Sequence, residues 1–488
     1  MPLPTAWMRR IAVILAAVPV LLAQDADLAE RLYRSGERAY AAKNYSEAQE
    51  TWKELIDQAP KSAYAAHALL DLARYQVDVR NKPEAALPLL DKIKSDHLKS
   101  PWAAEAMLLR GELLAARSRG PQDLKEAQAE FNRVVDLFPD HPCVQETRVQ
   151  MGTCFRRTGQ WSKAFQNYIE ALRLNPGSDL GRTAQLQAAE TLDLMGDLTG
   201  CLRMLQGLRD RSPDSAESAD ALWRLQVRVK QRLQKLPLRS QGPWPAGKLK
   251  WLKTPTLLAT GPEGELYVFQ DDLDRAALVK DGQAVPAGPV CRNAKAMLVP
   301  APGQVWLVAA KLGVVKDDTA PAGWSGLQLQ SPAGAAMDGW GNLWVCEPKA
   351  SAIQVFGPDG PPRAVPLAGV VALAPLPTGG MAAASDSERA LRFLDSDGRT
   401  RVTVPYGKDL PAPFRNVVAL AADPLGHVAA LVEGGFEGVA LWGPDGTLLR
   451  SASFKTLGLS GRYRALALDR QGGIILADRS NDLLIRLD

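Results

Sequence analysis

Gly152-Thr153-Cys154-Phe155-Arg156-Arg157-Thr158-Gly159-Gln160-Trp161-Ser162-Lys163-Ala164-Phe165-Gln166-Asn167-Tyr168-Ile169-Glu170-Ala171-Leu172-Arg173-Leu174-Asn175-Pro176 reads as two helices joined by a turn. Ala164 lets the second helix approach the first closely, and Tyr168 fills the next layer. Pro176 ends the pair, because proline lacks the N–H that would continue the helix. The order returns upstream as Gly36, Tyr40, Ala48, Trp52 and Pro60. It returns again as Gly111, Ala127, Phe131 and Pro139 once the loop Arg117-Ser118-Arg119-Gly120-Pro121 is allowed for. A further pair shows Ala85 and Leu89, and a degenerate one shows Cys201, Leu205 and Pro213. Ser62, Ser100, His141, Ser178 and Ser215 stand beside turns just before a new helix, at separations of 38, 41, 37 and 37. A fixed period in this range marks a stacked helix-pair solenoid.

The residues of these pairs resemble tetratricopeptide repeats, about five of them over residues 25–238. The slightly long period resembles periplasmic members that serve envelope assembly and division. The resemblance implies a groove lined by the first helix of each pair, the usual seat of a peptide or partner helix. Tyr33, Glu37, Tyr40, Thr153 and Arg156 are expected there; the alternative is that the aromatic ones pack against neighbouring repeats. The Lys and Asn of the family's carboxylate-clamp versions are missing, so capture of a free C-terminus is not expected.

The segment between Asp220 and Glu263 contains no acidic residue, and nine basic residues fall within it. Arg224, Arg228, Arg232 and Lys235 recur at helical spacing, giving one cationic face. Two readings stay open: a solvated cap for the array, or attraction to an anionic membrane surface, glycolipid or acidic partner. Pro237, Pro243 and Pro245 mark a Pro-rich junction over residues 239–247.

Beyond it the texture changes to short Val-, Ala-, Leu- and Trp-containing runs. Glycines at 264, 303, 341, 379, 426 and 472 each open a strand, at intervals of 39, 38, 38, 47 and 46. Asp-Gly hairpins at Asp281-Gly282, Asp359-Gly360, Asp397-Gly398 and Asp445-Gly446 are phased between them. Two phased hairpins per forty-odd residues predict four-stranded sheets repeated radially, six in number over residues 248–488. The segment Lys248–Leu252 is expected to supply the outer strand that the last sheet lacks. Ala335-Ala336-Met337-Asp338-Gly339-Trp340-Gly341-Asn342-Leu343-Trp344-Val345 and Leu420-Ala421-Ala422-Asp423-Pro424-Leu425-Gly426 resemble the blades of NHL-type six-bladed propellers. The predicted fold is therefore a multidomain α + β chain, a tetratricopeptide-like solenoid followed by an all-β propeller.

Gluconolactonase-like enzymes share that propeller fold and hold a divalent cation through oxygen ligands, for which Asp338, Asp423 and Asp469 would be the candidates. In the blade turn an Asp more often serves the turn itself. No Gly-rich phosphate loop, Gly-x-Ser-x-Gly, His-Glu-x-x-His or Cys-x-x-Cys occurs, and His67, His97, His141 and His427 are scattered. Residues 245–488 carry 24 basic and 24 acidic side chains, so this half has no field to steer a charged substrate. The expectation is no catalytic, cofactor or metal site; a metal-dependent lactonase or esterase with a helical targeting module is the alternative. Cys154 and Cys201 read as small core residues, and an oxidising compartment would permit a Cys291–Cys346 disulfide.

Arg9-Arg10, then the thirteen uncharged residues Ile11 to Ala23, have the form of a secretory signal over residues 1–23. As helix they rise about 20 Å, against a hydrocarbon core of about 30 Å. The first cysteine is Cys143, so a lipid anchor near the leader is not expected. In 488 residues, 46% hydrophobic and 23% charged, a net charge of +4 gives no footprint for nucleic acid. The sequence thus points to an exported, soluble periplasmic or extracellular scaffold that binds protein partners of the cell envelope.

Overall fold

The computed structural model describes residues 27–118, 120–234, 236–245, 249–309, 313–315, 324, 327, 329, 331–357 and 361–488. The signal segment, Lys235, Lys248 and the Asp359-Gly360 hairpin lie outside the described residues. The helices of the array are α1 (27–41), α2 (Tyr45–Gln58), α3 (Ala63–Asp78), α4 (Pro83–Asp96), α5 (Ala103–Arg117), α6 (Leu124–Leu137), α7 (Val144–Arg157), α8 (Trp161–Leu174), α9 (Asp179–Leu194), α10 (Leu198–Arg211) and α11 (Ala216–Arg228). The chain forms two compact units. One comprises residues up to Ser118, Gln122–Phe155 and Lys163–Ala184; the other comprises Arg119–Pro121, Arg156–Ser162 and Gln185–Asp488.

The helical repeat follows from two local devices. The first is capping. Ser62, Ser178 and Ser215 accept backbone N–H bonds three residues on, at 3.0, 3.0 and 3.1 Å. Ser100 and His141 accept from the second residue on, at 3.3 and 3.2 Å. Every marker of the sequence period is thus a polar side chain at a helix start, where unpaired N–H groups need an acceptor. The second device is a glycine in the first helix set against a ring in the second. A Cβ at Gly36, Gly111 or Gly152 would lie 2.3, 2.4 or 2.6 Å from the rings of Trp52, Phe131 or Tyr168 respectively. Those rings are buried, so each pair of helices closes around one aromatic side chain. Ala48, Ala127 and Ala164 are fully buried as well, as close approach of the two helices requires.

Among the described residues the second unit contains five four-stranded antiparallel sheets, and a three-stranded one formed by Ala296–Ala301, Gln304–Ala309 and Gly313–Val315. Strands follow one another in chain order in every sheet but one, so this is a propeller-like series of meanders. Asp281 and Gly282 have φ of 50° and 75°, the left-handed pair that a two-residue hairpin demands.

The exception to chain order corrects one expectation. Ser240–Pro243, not Lys248–Leu252, is the outer strand of the last sheet; Ser240 pairs with Leu487 and Pro243 with Ile485. Residues 249–252 are turned inward instead. Leu249 and Leu252 are buried against Leu266, Val268, Ile475 and Leu484, and Trp251 Nε1 donates to the Gly282 carbonyl at 2.9 Å. Two leucines three residues apart go to the core more readily than to a strand edge, where they would face opposite sides.

All five cysteines are free thiols, including Cys291 and Cys346. Among the described residues, no helix is long and apolar enough to cross a membrane.

Candidate functional site

A continuous row of polar and aromatic side chains crosses the first helices of successive pairs in the first unit. It begins on α1, where the Tyr33 hydroxyl donates to Asp71 Oδ2 at 2.6 Å and lies 2.8 Å from His67 Nε2. His67 and Asp71 stand one turn apart on α3. The His67 ring is sandwiched between Tyr33 and Trp102, with centroids 4.3 and 3.6 Å away. Arg74, also on α3, bridges Asp71 at 3.6 Å and Glu105 of α5 at 2.6 Å. Further along α5, Glu112 accepts from Gln150 Nε2 of α7 at 3.0 Å. Thr153 ends the row, its hydroxyl 3.1 Å from both the Val149 carbonyl and the Tyr168 hydroxyl.

Burial sets the electrostatics. It pushes the His67 imidazole down to about 4, so the ring is neutral at pH 7 and stacks as an aromatic. It raises the Asp71 carboxyl against the lowering effects of Tyr33 and Arg74. It also raises the Tyr33 hydroxyl, which keeps its proton and remains a donor. Glu112 is pushed up to about 7, first by burial and then by the neighbouring Glu146 carboxylate. Near neutrality this carboxyl exchanges a proton and changes from donor to acceptor. The row therefore offers hydrogen-bonding and aromatic contacts; it holds no nucleophile activated by a base.

Of the five side chains expected in a groove, Tyr33 and Thr153 are members of this row, Tyr33 as its buried anchor, and Glu37 stands at the surface beside Tyr33. Tyr40 packs instead among Tyr45, Trp52 and Tyr75, at centroid distances of 5.2, 5.6 and 6.4 Å. Thr153 bonds within its own repeat. Arg156 groups with the second unit, where it helps line a cavity of about 160 Å³ beside Glu190 and Asp193. The sequence reading missed His67, Asp71, Trp102, Glu105, Glu112 and Gln150. Their signal was present as periodicity: Tyr33 and Asp71, like Glu112 and Gln150, are 38 residues apart, one repeat.

The cationic face of α11 needs correction. Its helical spacing is right, but the face is internal to the second unit. Arg228 is 1% exposed and binds Glu190 at 2.9 Å and Asp193 at 2.7 Å. Arg224 reaches Glu190 at 3.2 Å and Asp220 at 3.0 Å, and Arg232 bonds Asp193. Glu190 and Asp193 lie one turn apart on α9 and receive these arginines as a ladder, so the positive charge is neutralised inside the chain. The fourth member, Lys235, lies outside the described residues.

The aspartates that a propeller hydrolase would use for a cation are likewise engaged. Asp338 accepts from the backbone of Trp340 and Asn342 and from the Trp344 indole, at 2.8, 2.9 and 2.8 Å. Asp423 accepts from the backbone of Leu425 and His427, both at 2.9 Å, and lies 2.7 Å from His427 Nδ1. Asp469 accepts from Gln471, Gly473 and Arg486 at 2.8, 2.7 and 2.8 Å. Each closes its own turn. Among the described residues, no group of three or more His, Cys, Asp or Glu side chains is placed to hold a metal ion.

The profile of the family YfiO, described as outer membrane lipoprotein, matches residues 25–153. Solved structures similar to the chain include a streptogramin B lyase, 13% identical, covering 51% of this chain and 97% of that one, with a TM-score of 0.38. PilW, a widely conserved type IV pilus biogenesis factor, is 17% identical over 44% of this chain and 94% of its own, with a TM-score of 0.33. YrrB, a TPR protein with an unusual peptide-binding site, is 18% identical over 38% and 88%, with a TM-score of 0.31. No curated protein matches the chain. The architecture is that of a tetratricopeptide-like helical array followed by a propeller-like set of sheets.

Proposed function

We propose that the protein is a non-enzymatic adaptor of the cell envelope, exported by a signal segment over residues 1–23. It binds protein partners through the first-helix face of its array and through a face of its propeller, in envelope assembly or maintenance. The observation that supports this reading is the row from Tyr33 to Thr153. Its aromatic members are locked by stacking, while Glu37 stands in solvent and Glu112 sits poised between proton states. Preorganised side chains on the first helices of a repeat array favour an extended peptide or helix, because little ordering entropy is lost on binding. The match of residues 25–153 to a family described as outer membrane lipoprotein supports the envelope setting. We read the β-rich half as a six-bladed propeller of NHL-like type, with Ser240–Pro243 closing it and the three-stranded sheet as one blade.

The test is site-specific photocrosslinking in the full-length protein, with the photoreactive residue placed at Glu37 and, separately, at Glu146. A discrete adduct with an envelope protein at these positions, absent from a probe at Lys53 of α2, is the expected result. The same adducts at all three positions, or none at any of them, would overturn the reading.

A further inference from the structure

After α11 the helix widens into one π-helical turn, Val229–Leu233, a geometry that frequently accompanies a functional site. Within the second unit this turn forms one wall of a half-open cavity of about 560 Å³. Leu225, Val229, Leu236 and Pro237 give it an apolar side, and Leu236 is 52% exposed. Lys230, Arg239 and Arg450 give it a cationic side, against the single carboxylate side chain of Asp488.

Arg450 is the unusual member. It is only 5% exposed, yet no carboxylate of the described residues forms an ion pair with it. Its Nε, Nη1 and Nη2 donate to the Leu236 carbonyl, Gln231 Oε1 and the Pro237 carbonyl, at 2.8, 3.1 and 3.1 Å. All three acceptors are neutral, and a guanidinium has five N–H donors, so two have no acceptor among the described residues. Burial lowers its proton affinity, outweighing the attraction of the Asp488 carboxylate, which makes no ion pair with it. A buried cation whose nearby carboxylate, Asp488, is already paired with Lys230 and Arg486 is costly, which favours an anion arriving from outside. Lys230 is already paired with Asp488 at 2.8 Å. The Arg239 side chain has no partner among the described residues and is exposed at the same opening. A small hydrated anion would satisfy the arginines and leave the leucine side wet. The volume is of the size that encloses small organic ligands.

We propose that this cavity binds a small amphiphile with one anionic group, its carboxylate or phosphate meeting Arg450 and Arg239 and its hydrocarbon lying along Leu225, Val229 and Leu236. The proposal is independent of the adaptor reading, since none of these residues belongs to the first-helix row.

Isothermal titration of the full-length protein tests it, with dodecanoate, dodecyl phosphate, dodecanol and acetate, each below its aggregation concentration. Saturable one-to-one binding of dodecanoate or dodecyl phosphate is expected, and whichever binds more tightly identifies the head group. Dodecanol should bind at least about tenfold more weakly, since it lacks the charge-assisted bonds. Acetate should not saturate. Arg450 supports three neighbouring groups, so the variants used are Arg239→Gln and Leu236→Asp, both at exposed positions. Each should weaken dodecanoate binding about tenfold, and Arg239→Gln should also reduce its salt dependence. Absence of binding by both anionic amphiphiles, equal affinity for dodecanol, or unchanged affinity in both variants would overturn the proposal.

Discussion

Gly152→Ala tests whether the array is held by rings seated on glycines. The added Cβ would sit 2.6, 2.7 and 2.9 Å from three carbons of the Tyr168 ring, where carbon atoms need about 3.5–4.0 Å. The ring would have to retreat by about 1 Å. It is fully buried, and its hydroxyl lies 3.1 Å from Thr153 Oγ1, so it has no free direction in which to move. Overpacking of this kind costs about 1–3 kcal/mol, and loss of the hydroxyl contact adds about 1 kcal/mol. Alanine returns at most about 1 kcal/mol through its better helix propensity. A net destabilisation of about 1–3 kcal/mol follows, read as a lower urea midpoint for the helical signal at 222 nm. Pairing the substitution with Tyr168→Leu makes room for the methyl group, so the double variant should lose less than the sum of the two singles. A Gly152→Ala protein with an unchanged or raised midpoint would refute the ring-on-glycine account. Strict additivity in the double variant would do the same.

Replacing Arg228 by Met takes from Glu190 and Asp193 their most buried partner, leaving each with one arginine, Arg224 and Arg232 respectively. It should cost about 3–5 kcal/mol in thermal or urea unfolding; a loss below about 1 kcal/mol would show that the ladder is not structural. Glu112 binds its proton more tightly in the folded chain, near pH 7, than in the unfolded chain, near pH 4.5. Its contribution to stability is therefore present below pH 4.5 and is lost as pH rises through 7. Glu112→Gln should remove that part of the pH dependence, about 1–2 kcal/mol after allowance for solvent, as seen in unfolding curves at pH 5 and pH 8. Burial pushes the Cys346 thiol up to about 12, so at pH 8 in native buffer it should resist an aromatic disulfide reagent and react fully only in denaturant.

Much of the fold is written locally. The glycine–ring pairs lie 16 or 20 residues apart in sequence, within one helix pair, and the capping side chains act across two or three residues. Such features need no knowledge of the third dimension. The aspartates of the blade turns are nearly as local, each bonding backbone N–H groups two and four positions on, with only Asp469 also reaching a distant side chain, Arg486. The direction of the α11 arginines was not legible, because periodicity states which residues share a face and not whether that face meets water. A row of arginines buried against Glu190 and Asp193 has the same spacing as one in solvent. The outer strand was misplaced by a few residues for a related reason: both segments were short and near a proline, and only the burial of Leu249 and Leu252 separates them. The first-helix row depends on contacts one repeat apart. It emerges only when the repeats are stacked, so the sequence showed its α1 members and hid their partners.

The pairing of Ser240–Pro243 with Leu483–Leu487 has a consequence for the life history of the chain. One partner is synthesised before almost all the other described strands, and the other only after them. At ordinary translation rates the early strand waits about 12–50 seconds for its mate. In that interval Ser240–Pro243 has no sheet to join, and such an unpaired strand pairs readily with any extended chain nearby. A polypeptide truncated before Leu483 never ends the wait, because it lacks the strand that pairs with Ser240–Pro243. Completion of this sheet therefore depends on residues 483–487 reaching Ser240–Pro243, and a chain truncated before them keeps an unpaired strand that invites proteolysis.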